Sequence, residues 1–263
     1  MRKSFATSHL VRLLGDMNLH EVDAPRLDVA ERLEGWVGIA EASVLHTAHQ
    51  SITALADVPS SQPARPVKRA RPAAGTMSVA EQLQQTRSML TRAITTHEPS
   101  GRSTAPMGRP ARHAHMQAAP AQQGEPVPEA EIDYTIYRQH YLDQQRNMEL
   151  MIAPLRDHVR QALFASGSAG MRQLAGLDAV WEQLLGHREK NLLATLPAHL
   201  ERRFKDLRKT HQHDDPTTWR KPGGWLHGFG EELRAVLLAE LETRLEPVTG
   251  LVEAFSTELK KHA

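Results

Sequence analysis

The residue types best suited to chemistry lie close together in residues 211–215, which read HQHDD. His211, His213 and Asp214 carry imidazole and carboxylate groups, which commonly bind divalent metals, and His227 could approach them from the following helix. A metal bound there could activate a water molecule, as in metal-dependent hydrolases. The surrounding segment is also rich in Asp, Pro and Gly, which is typical of a solvated loop after a helix C-terminus, where histidines are favourable. We therefore predict no metal, no other cofactor and no catalytic residue, with a metal-dependent hydrolase as the first alternative.

Two further segments have features that bind phosphate groups in other proteins. Lys68, Arg69 and Arg71 form a basic cluster, which would attract nucleic-acid phosphates in a salt-dependent manner. No aromatic side chain is interleaved with the cluster to stack on bases, so a nucleic-acid-binding accessory is only the second alternative. Residues 222–230 are rich in glycine, but they lack the lysine and hydroxyl side chains that end a P-loop. We predict no nucleotide site there.

Tyrosine and methionine side chains recur every three or four positions early in the C-terminal half of the chain. Tyr134, Tyr137, Tyr141, Met148 and Met151 would share one face of a helix, along a seam like that of a coiled coil. These residue types are common at protein interfaces. The seam could contact a helical protein partner or a second copy of the chain, or it could fill the core of the chain itself.

A basic helix face offers a second candidate interaction surface. Arg203 and Arg208 flank an apolar stripe on the helix that precedes the histidine-containing loop. They could attract an acidic helix of a partner. They could equally pair with Glu240, Glu242 or Glu246 of the last helix, within the same chain.

The composition of the 263 residues excludes several classes of protein. The absence of cysteine excludes a disulfide framework, a thiolate-bound metal and a thiol nucleophile. The aromatic share of 5% is low for a protein built from β-sheets. No apolar run approaches the roughly 18–20 residues that a membrane-spanning helix needs, and no signal peptide is apparent. We expect a cytoplasmic chain without a direct membrane span.

Proline divides the sequence into three predicted regions. Ten of the sixteen prolines lie in residues 59–128, together with nine basic and three acidic residues. This composition predicts a disordered basic linker, interrupted by a short helix near 78–97 that starts with a capping-box pattern of serine and glutamate. Residues 1–58 are predicted to form an N-terminal helical segment of two helices, the second of which follows Pro25. Residues 129–263 are predicted to form a C-terminal three-helix bundle.

Long helices must position the candidate residues of the C-terminal region. Apolar side chains recur there at spacings of three and four, and one such pattern predicts a continuous helix over 171–209. Pro154, Pro197 and Pro247 each fall inside a predicted helix and should kink it. Helices of about 35–40 residues span roughly 50–60 Å. The sequence therefore predicts an all-α fold, an elongated bundle of proline-kinked helices.

Several short strings, taken in their order, resemble an uncharacterised proteobacterial family that is a domain of unknown function. They lie in the second N-terminal helix and across most of the C-terminal region, at residues 28–33, 147–149, 152–156, 177–180 and 237–241. The resemblance implies no established activity and no catalytic residues. It also implies that such proteins are encoded beside membrane proteins of the MotA/TolQ and OmpA types.

From the residues and the resemblance together we expect a non-enzymatic helical adaptor. Its partner would be a helical protein or a second copy of the chain. The resemblance adds that the adaptor would be a cytoplasmic accessory of an ion-driven envelope complex, with a component of that membrane complex as the partner.

Overall fold

The computed structural model describes residues 8–17, 39–56, 77–96, 133–166 and 168–261. These ranges contain seven α-helices and one 3₁₀ helix but no β-strand, so the predicted all-α class is confirmed. The α-helices are α1 (His9–Asp16), α2 (Ile39–Ala56), α3 (Val79–Thr96), α4 (Tyr134–Ala165), α5 (Ala169–Leu193), α6 (Leu196–Thr210) and α7 (Trp225–Lys261). The 3₁₀ helix spans Pro216–Thr218, between α6 and α7.

Helices α4 and α7 form the centre of the fold. They run in the same direction, because Tyr141 near the start of α4 contacts Glu240 and Ser168 just after its end contacts Glu258. Helices α3, α5 and α6 pack against both of them, and α1 packs against α7. The apolar side chains of these faces form one core, which includes Leu90, Val159 and Leu237.

The prediction of three helices within residues 129–263 is wrong, because this part of the chain contains α4, α5, α6 and α7. The predicted helix over 171–209 is divided into α5 and α6, and Pro197 lies at the second position of α6. A proline lacks the backbone N–H that a helix interior needs, whereas a first-turn position leaves that group unpaired in any case. Pro154 and Pro247, by contrast, lie inside α4 and α7, which continue past them.

The short helix predicted near 78–97 is present as α3, and its start has the predicted capping box. The backbone N–H of Ser78 donates to the Glu81 carboxylate at 2.8 Å, and the Glu81 N–H donates to the Ser78 hydroxyl at 3.2 Å. These hydrogen bonds lower the pKa of Glu81. The helix buries Leu83 and Ile94 against α4 and α7, so it belongs to the core of the bundle. The rest of the predicted linker lies outside the described residues.

The two N-terminal helices pack at different places. Helix α1 buries Leu10, and Met17 beside it is also buried, so this segment is part of the same core. Helix α2 packs mainly against α5, where Glu41 lies 3.4 Å from the Nη2 of Arg188. The first part of the predicted second helix, residues 27–38, lies outside the described residues. None of the described helices combines the length and the apolar character that a membrane crossing requires.

Candidate interaction surface

The tyrosine and methionine seam lies inside the chain's own core. Tyr141 and Met148 are fully buried, and Tyr134 and Tyr137 are each 5% exposed. Met151 is half-buried and packs against the same core. Aromatic side chains of α6 and α7 pack against Tyr134 and Tyr137, so a partner could reach these tyrosines only if the bundle opened. The structure therefore corrects the interpretation of the seam as a partner-binding surface.

A buried polar network crosses the seam between α4 and α7. The fully buried Glu240 carboxylate accepts hydrogen bonds from the Tyr141 hydroxyl at 2.6 Å, from Gln145 Nε2 at 3.0 Å and from Arg244 Nε at 2.8 Å. Burial, together with the negative charge of Glu240, raises the pKa of Tyr141 well above its ordinary value. Because every charge in this network has a partner, its role is to join the two central helices.

The predicted basic face is partly used within the chain. Arg203 on α6 donates from Nε and Nη2 to the two carboxylate oxygens of Glu232 on α7, at 3.0 and 2.7 Å. The hydrogen bonds to Glu232 raise the pKa of Arg203. Glu232 lies two turns before the glutamates that we predicted as partners of Arg203. Arg203 therefore forms its ion pair within the chain. Arg208 is exposed on the same helix, and the basic cluster at 68–71 lies outside the described residues.

The histidine-containing loop does not gather the predicted metal ligands. His211 Nδ1 lies 2.7 Å from Asp214 Oδ2, but His213 contacts the neighbouring Gln212. His227 lies on α7 and does not complete the set. Within the ranges that the structure describes, no three His, Asp or Glu side chains are grouped so that they could hold a metal ion. The pair His211 and Asp214 is a local contact across the end of α6.

Helix α5 is attached to α4 mainly through charged side chains. Arg156 of α4 donates from Nε and Nη2 to the Asp178 carboxylate at 2.9 and 2.7 Å, and Arg160 donates to Glu182 at 2.6 Å. The side chains of Arg156 and Asp178 are only 13% and 10% exposed. Such bidentate pairs, shielded from water, fix the orientation of one helix on another. Ala175 and Leu193 of α5 lie in the core, whereas other apolar side chains of this helix lie outside it.

A second, apolar face of α5 lies outside the main core. Leu177 is 40% exposed, and Val180, Trp181 and Leu184 are half-buried. None of these four belongs to the described core or to the side chains packed against it. Helix α2 covers only part of this face, and Val44 of α2 is itself 38% exposed. Helix α5 therefore packs against the bundle with one face and directs a second, apolar face away from it.

An open groove separates α2 from α5 on this outer face. Its volume is about 440 Å³, within the range of about 300–1,000 Å³ that is typical of binding pockets. The groove is lined mostly by apolar side chains from both helices, which are Leu45, Ala48, His49, Gln173, Leu174, Leu177 and Val180. The lining positions on each helix are spaced by three or four residues, so they form continuous ridges. This α2–α5 groove can accept the apolar face of another helix.

The α2–α5 groove was not predicted from the sequence, although the sequence contains a signal for it. The residues between 171 and 193 include more apolar side chains than one stripe can hold, since Leu177, Trp181 and Leu184 lie on a different side from Ala175 and Asp178. A helix that faces one neighbour shows a single apolar stripe, whereas two separate stripes indicate two contacts.

The comparisons with known proteins identify the family. A family model described as "Protein of unknown function (DUF3348)" matches residues 1–257. The chain belongs to this family. Membership in the DUF3348 family confirms the predicted domain of unknown function. The match includes the α2–α5 groove, the Glu240 network and the histidine-containing loop. Neither the search of curated proteins nor the search of solved structures gave a match.

Proposed function

We propose that the chain is a non-enzymatic interaction protein that binds a helix of a partner protein in the α2–α5 groove. The observation that supports this proposal is the second apolar face of α5, where Leu177 remains 40% exposed beside a groove of about 440 Å³. Exposed apolar surface of this kind, bordered by polar residues, is typical of protein-binding sites. Recognition of a helix in a groove needs no catalytic residue.

The shape of the groove favours a helix as the occupant. Two packed helices present parallel ridges with a furrow between them, and a third helix packs into such a furrow through side chains spaced by three or four residues. The polar side chains that line the groove are those of Gln173 and His49, and its lining contains no carboxylate. An apolar helix face is therefore a better match for the groove than a charged one.

The resemblance stated above suggests which protein supplies the helix. If the chain is a cytoplasmic accessory of an ion-driven envelope complex, the partner helix belongs to a component of that complex. The proposal therefore includes a helix of that complex as the partner, and self-association through the same groove is the alternative that the experiment distinguishes from it.

A pair of leucine substitutions tests the proposal. Leu177→Asp places a carboxylate in the groove, whereas Leu150→Asp makes the same change on α4, at a side chain that is 66% exposed and does not line the groove. Co-purification from the native host should recover a partner with the unmodified chain and with Leu150→Asp. Leu177→Asp should weaken that complex by at least about tenfold, since a buried unpaired carboxylate costs well over 1.4 kcal/mol.

Light scattering on the purified variants separates the two outcomes. The proposal is supported if the purified chain is a monomer and co-purifies with a protein partner whose binding Leu177→Asp weakens. A dimer that Leu177→Asp dissociates would place a second copy in the groove instead. Equal behaviour of the Leu177→Asp and Leu150→Asp variants would contradict both.

A further inference from the structure

A second cavity lies beside the first turns of α7, and the proposed function does not use it. Its volume is about 140 Å³. It is lined by the loop that precedes α7, by α7 itself and by one side chain of α4. The lining includes Tyr137, Arg220, Leu226, His227, Glu231 and Arg234.

The charge of this cavity is predominantly positive. Arg220 and Arg234 are permanently charged, and Glu231 is the only carboxylate in the lining. Among the described residues, Arg220 and Arg234 form no ion pair, in contrast to Arg156 and Arg203, which hold carboxylates between helices. Both arginines line one cavity and neither forms an ion pair with a described carboxylate, so their guanidinium groups are suited to bind an anion.

The loop that carries Arg220 is held firmly in place. The carbonyl oxygen of Trp219 accepts hydrogen bonds from the backbone N–H groups of Leu226 and His227, both at 3.1 Å. The Trp219 ring packs edge-on against Trp225, with 5.5 Å between the ring centroids. These contacts hold the backbone that carries Arg220 next to the start of α7.

Two glycines show how tightly the loop is drawn against α7. A Cβ atom on Gly224 would lie 2.2 Å from the carbonyl oxygen of Thr218, so no other residue fits without a backbone shift. Gly223 has a φ of +89°, in the region that favours glycine. Gly223 and Gly224 therefore serve the path of the backbone, and the charged side chains supply the features of a binding site.

The volume decides the size of the ligand. A cavity of about 140 Å³ has room for more than one water molecule, but it is smaller than the roughly 300–1,000 Å³ of sites that hold drug-sized molecules. It suits one oxyanion group. Phosphate is favoured over carboxylate, because it can accept hydrogen bonds from both arginines and from the His227 ring with separate oxygens.

We propose that this cavity binds a phosphate group through Arg220, Arg234 and His227. The group could be free inorganic phosphate or the phosphate of a small monoester. The Tyr137 and Leu226 walls reduce the access of water and strengthen the attraction between the guanidinium groups and the anion.

Calorimetric titration of the full chain tests the proposal, with inorganic phosphate and phenyl phosphate as separate probes at constant ionic strength. Arg220→Gln and Arg234→Gln remove the proposed ligands one at a time. Arg202→Gln is the matched control, because Arg202 is exposed on α6 and does not line the cavity. We expect saturable one-to-one binding of at least one probe by the unmodified chain and by Arg202→Gln, and at least tenfold weaker binding by each of the other two variants.

The probe that binds more tightly identifies the source of the phosphate group. Circular dichroism spectra that match that of the unmodified chain would show that a loss of binding is not a loss of folding, and Arg220 is exposed, so its replacement leaves the core unchanged. Failure of both probes to saturate, or equal affinities of the Arg220→Gln, Arg234→Gln and Arg202→Gln variants, would overturn the proposal.

Discussion

Removal of the Glu240 carboxylate should destabilise the fold more than any single change on the helix surface. Glu240 is fully buried and accepts hydrogen bonds from Tyr141, Gln145 and Arg244. In Glu240→Ala these three donors lose their common acceptor, and the Arg244 guanidinium, whose side chain is 14% exposed, loses its ion-pair partner. Breaking a buried ion pair from one side costs about 3–5 kcal/mol, which is a large part of the total stability of about 5–15 kcal/mol of a typical domain.

Urea unfolding followed by circular dichroism at 222 nm measures this loss. Glu242→Ala is the matched control, because Glu242 lies on the same helix but its side chain is 66% exposed, and its one ion pair among the described residues is with His9. Such an exposed contact contributes about 1 kcal/mol or less. The free energy of unfolding should therefore fall by several kcal/mol in Glu240→Ala and by less than about 1 kcal/mol in Glu242→Ala.

A double-mutant cycle shows whether the network acts as a unit. Tyr141→Phe removes a single hydrogen bond to a charged acceptor and should cost about 1.5–3 kcal/mol. In the absence of Glu240 the same change should cost much less, because the hydroxyl then has no acceptor to lose. Additive costs in the double variant, or a loss in Glu240→Ala no larger than in Glu242→Ala, would refute the account of this network.

Three further predictions concern the backbone, the alkaline pH range and metals. Gly250→Ala should raise the free energy of unfolding by up to about 1 kcal/mol, since a Cβ at this exposed position of α7 meets nothing within 4 Å. Gly224→Ala should lower the free energy of unfolding, because its Cβ would lie 2.2 Å from a backbone oxygen. Urea unfolding measures both changes. Because burial raises the pKa of Tyr141, the folded chain keeps the phenolic proton above pH 10 while the unfolded chain releases it. The contribution of this proton to the free energy of unfolding is complete below about pH 10 and is lost at about 1.4 kcal/mol per pH unit above that. Urea midpoints of Tyr141→Phe should therefore fall less steeply above pH 10 than those of the unmodified chain. Equal slopes would contradict this assignment. Treatment with EDTA should leave the melting temperature unchanged, whereas a stoichiometric metal that is lost in a His211→Ala/His213→Ala double variant would favour the hydrolase alternative.

The helices themselves were predictable because their signals are local. Apolar spacing gave α4 and α7, and the Ser78 and Glu81 pair marked the start of α3. The effects of the prolines were not predictable from spacing. Pro154 is exposed and its helix continues, whereas Pro197 is buried and its helix is a new one that begins at the residue before it. Packing around the proline, which a single sequence does not contain, decides between these outcomes.

The candidate site was harder to predict because it depends on which helices meet. The tyrosine seam on α4 has the residue types of an interface, and only the packing of α6 and α7 against it shows that it is core. Likewise, the register between α6 and α7 selects Glu232 as the partner of Arg203 rather than Glu240. An apolar stripe predicts that something packs on a helix, but it does not identify what packs there.

Site-specific photo-crosslinking tests the central claim, that the α2–α5 groove binds another protein, most directly. A photoreactive benzoylphenylalanine is introduced at position 177 in the groove or at position 150 on α4, and the cells that naturally make the chain are irradiated. Both positions are exposed leucines, so neither replacement disturbs the core. If the α2–α5 groove binds a protein, we expect one crosslinked protein of defined mass from position 177 and none from position 150. No adduct from position 177, or the same adducts from both positions, would contradict it.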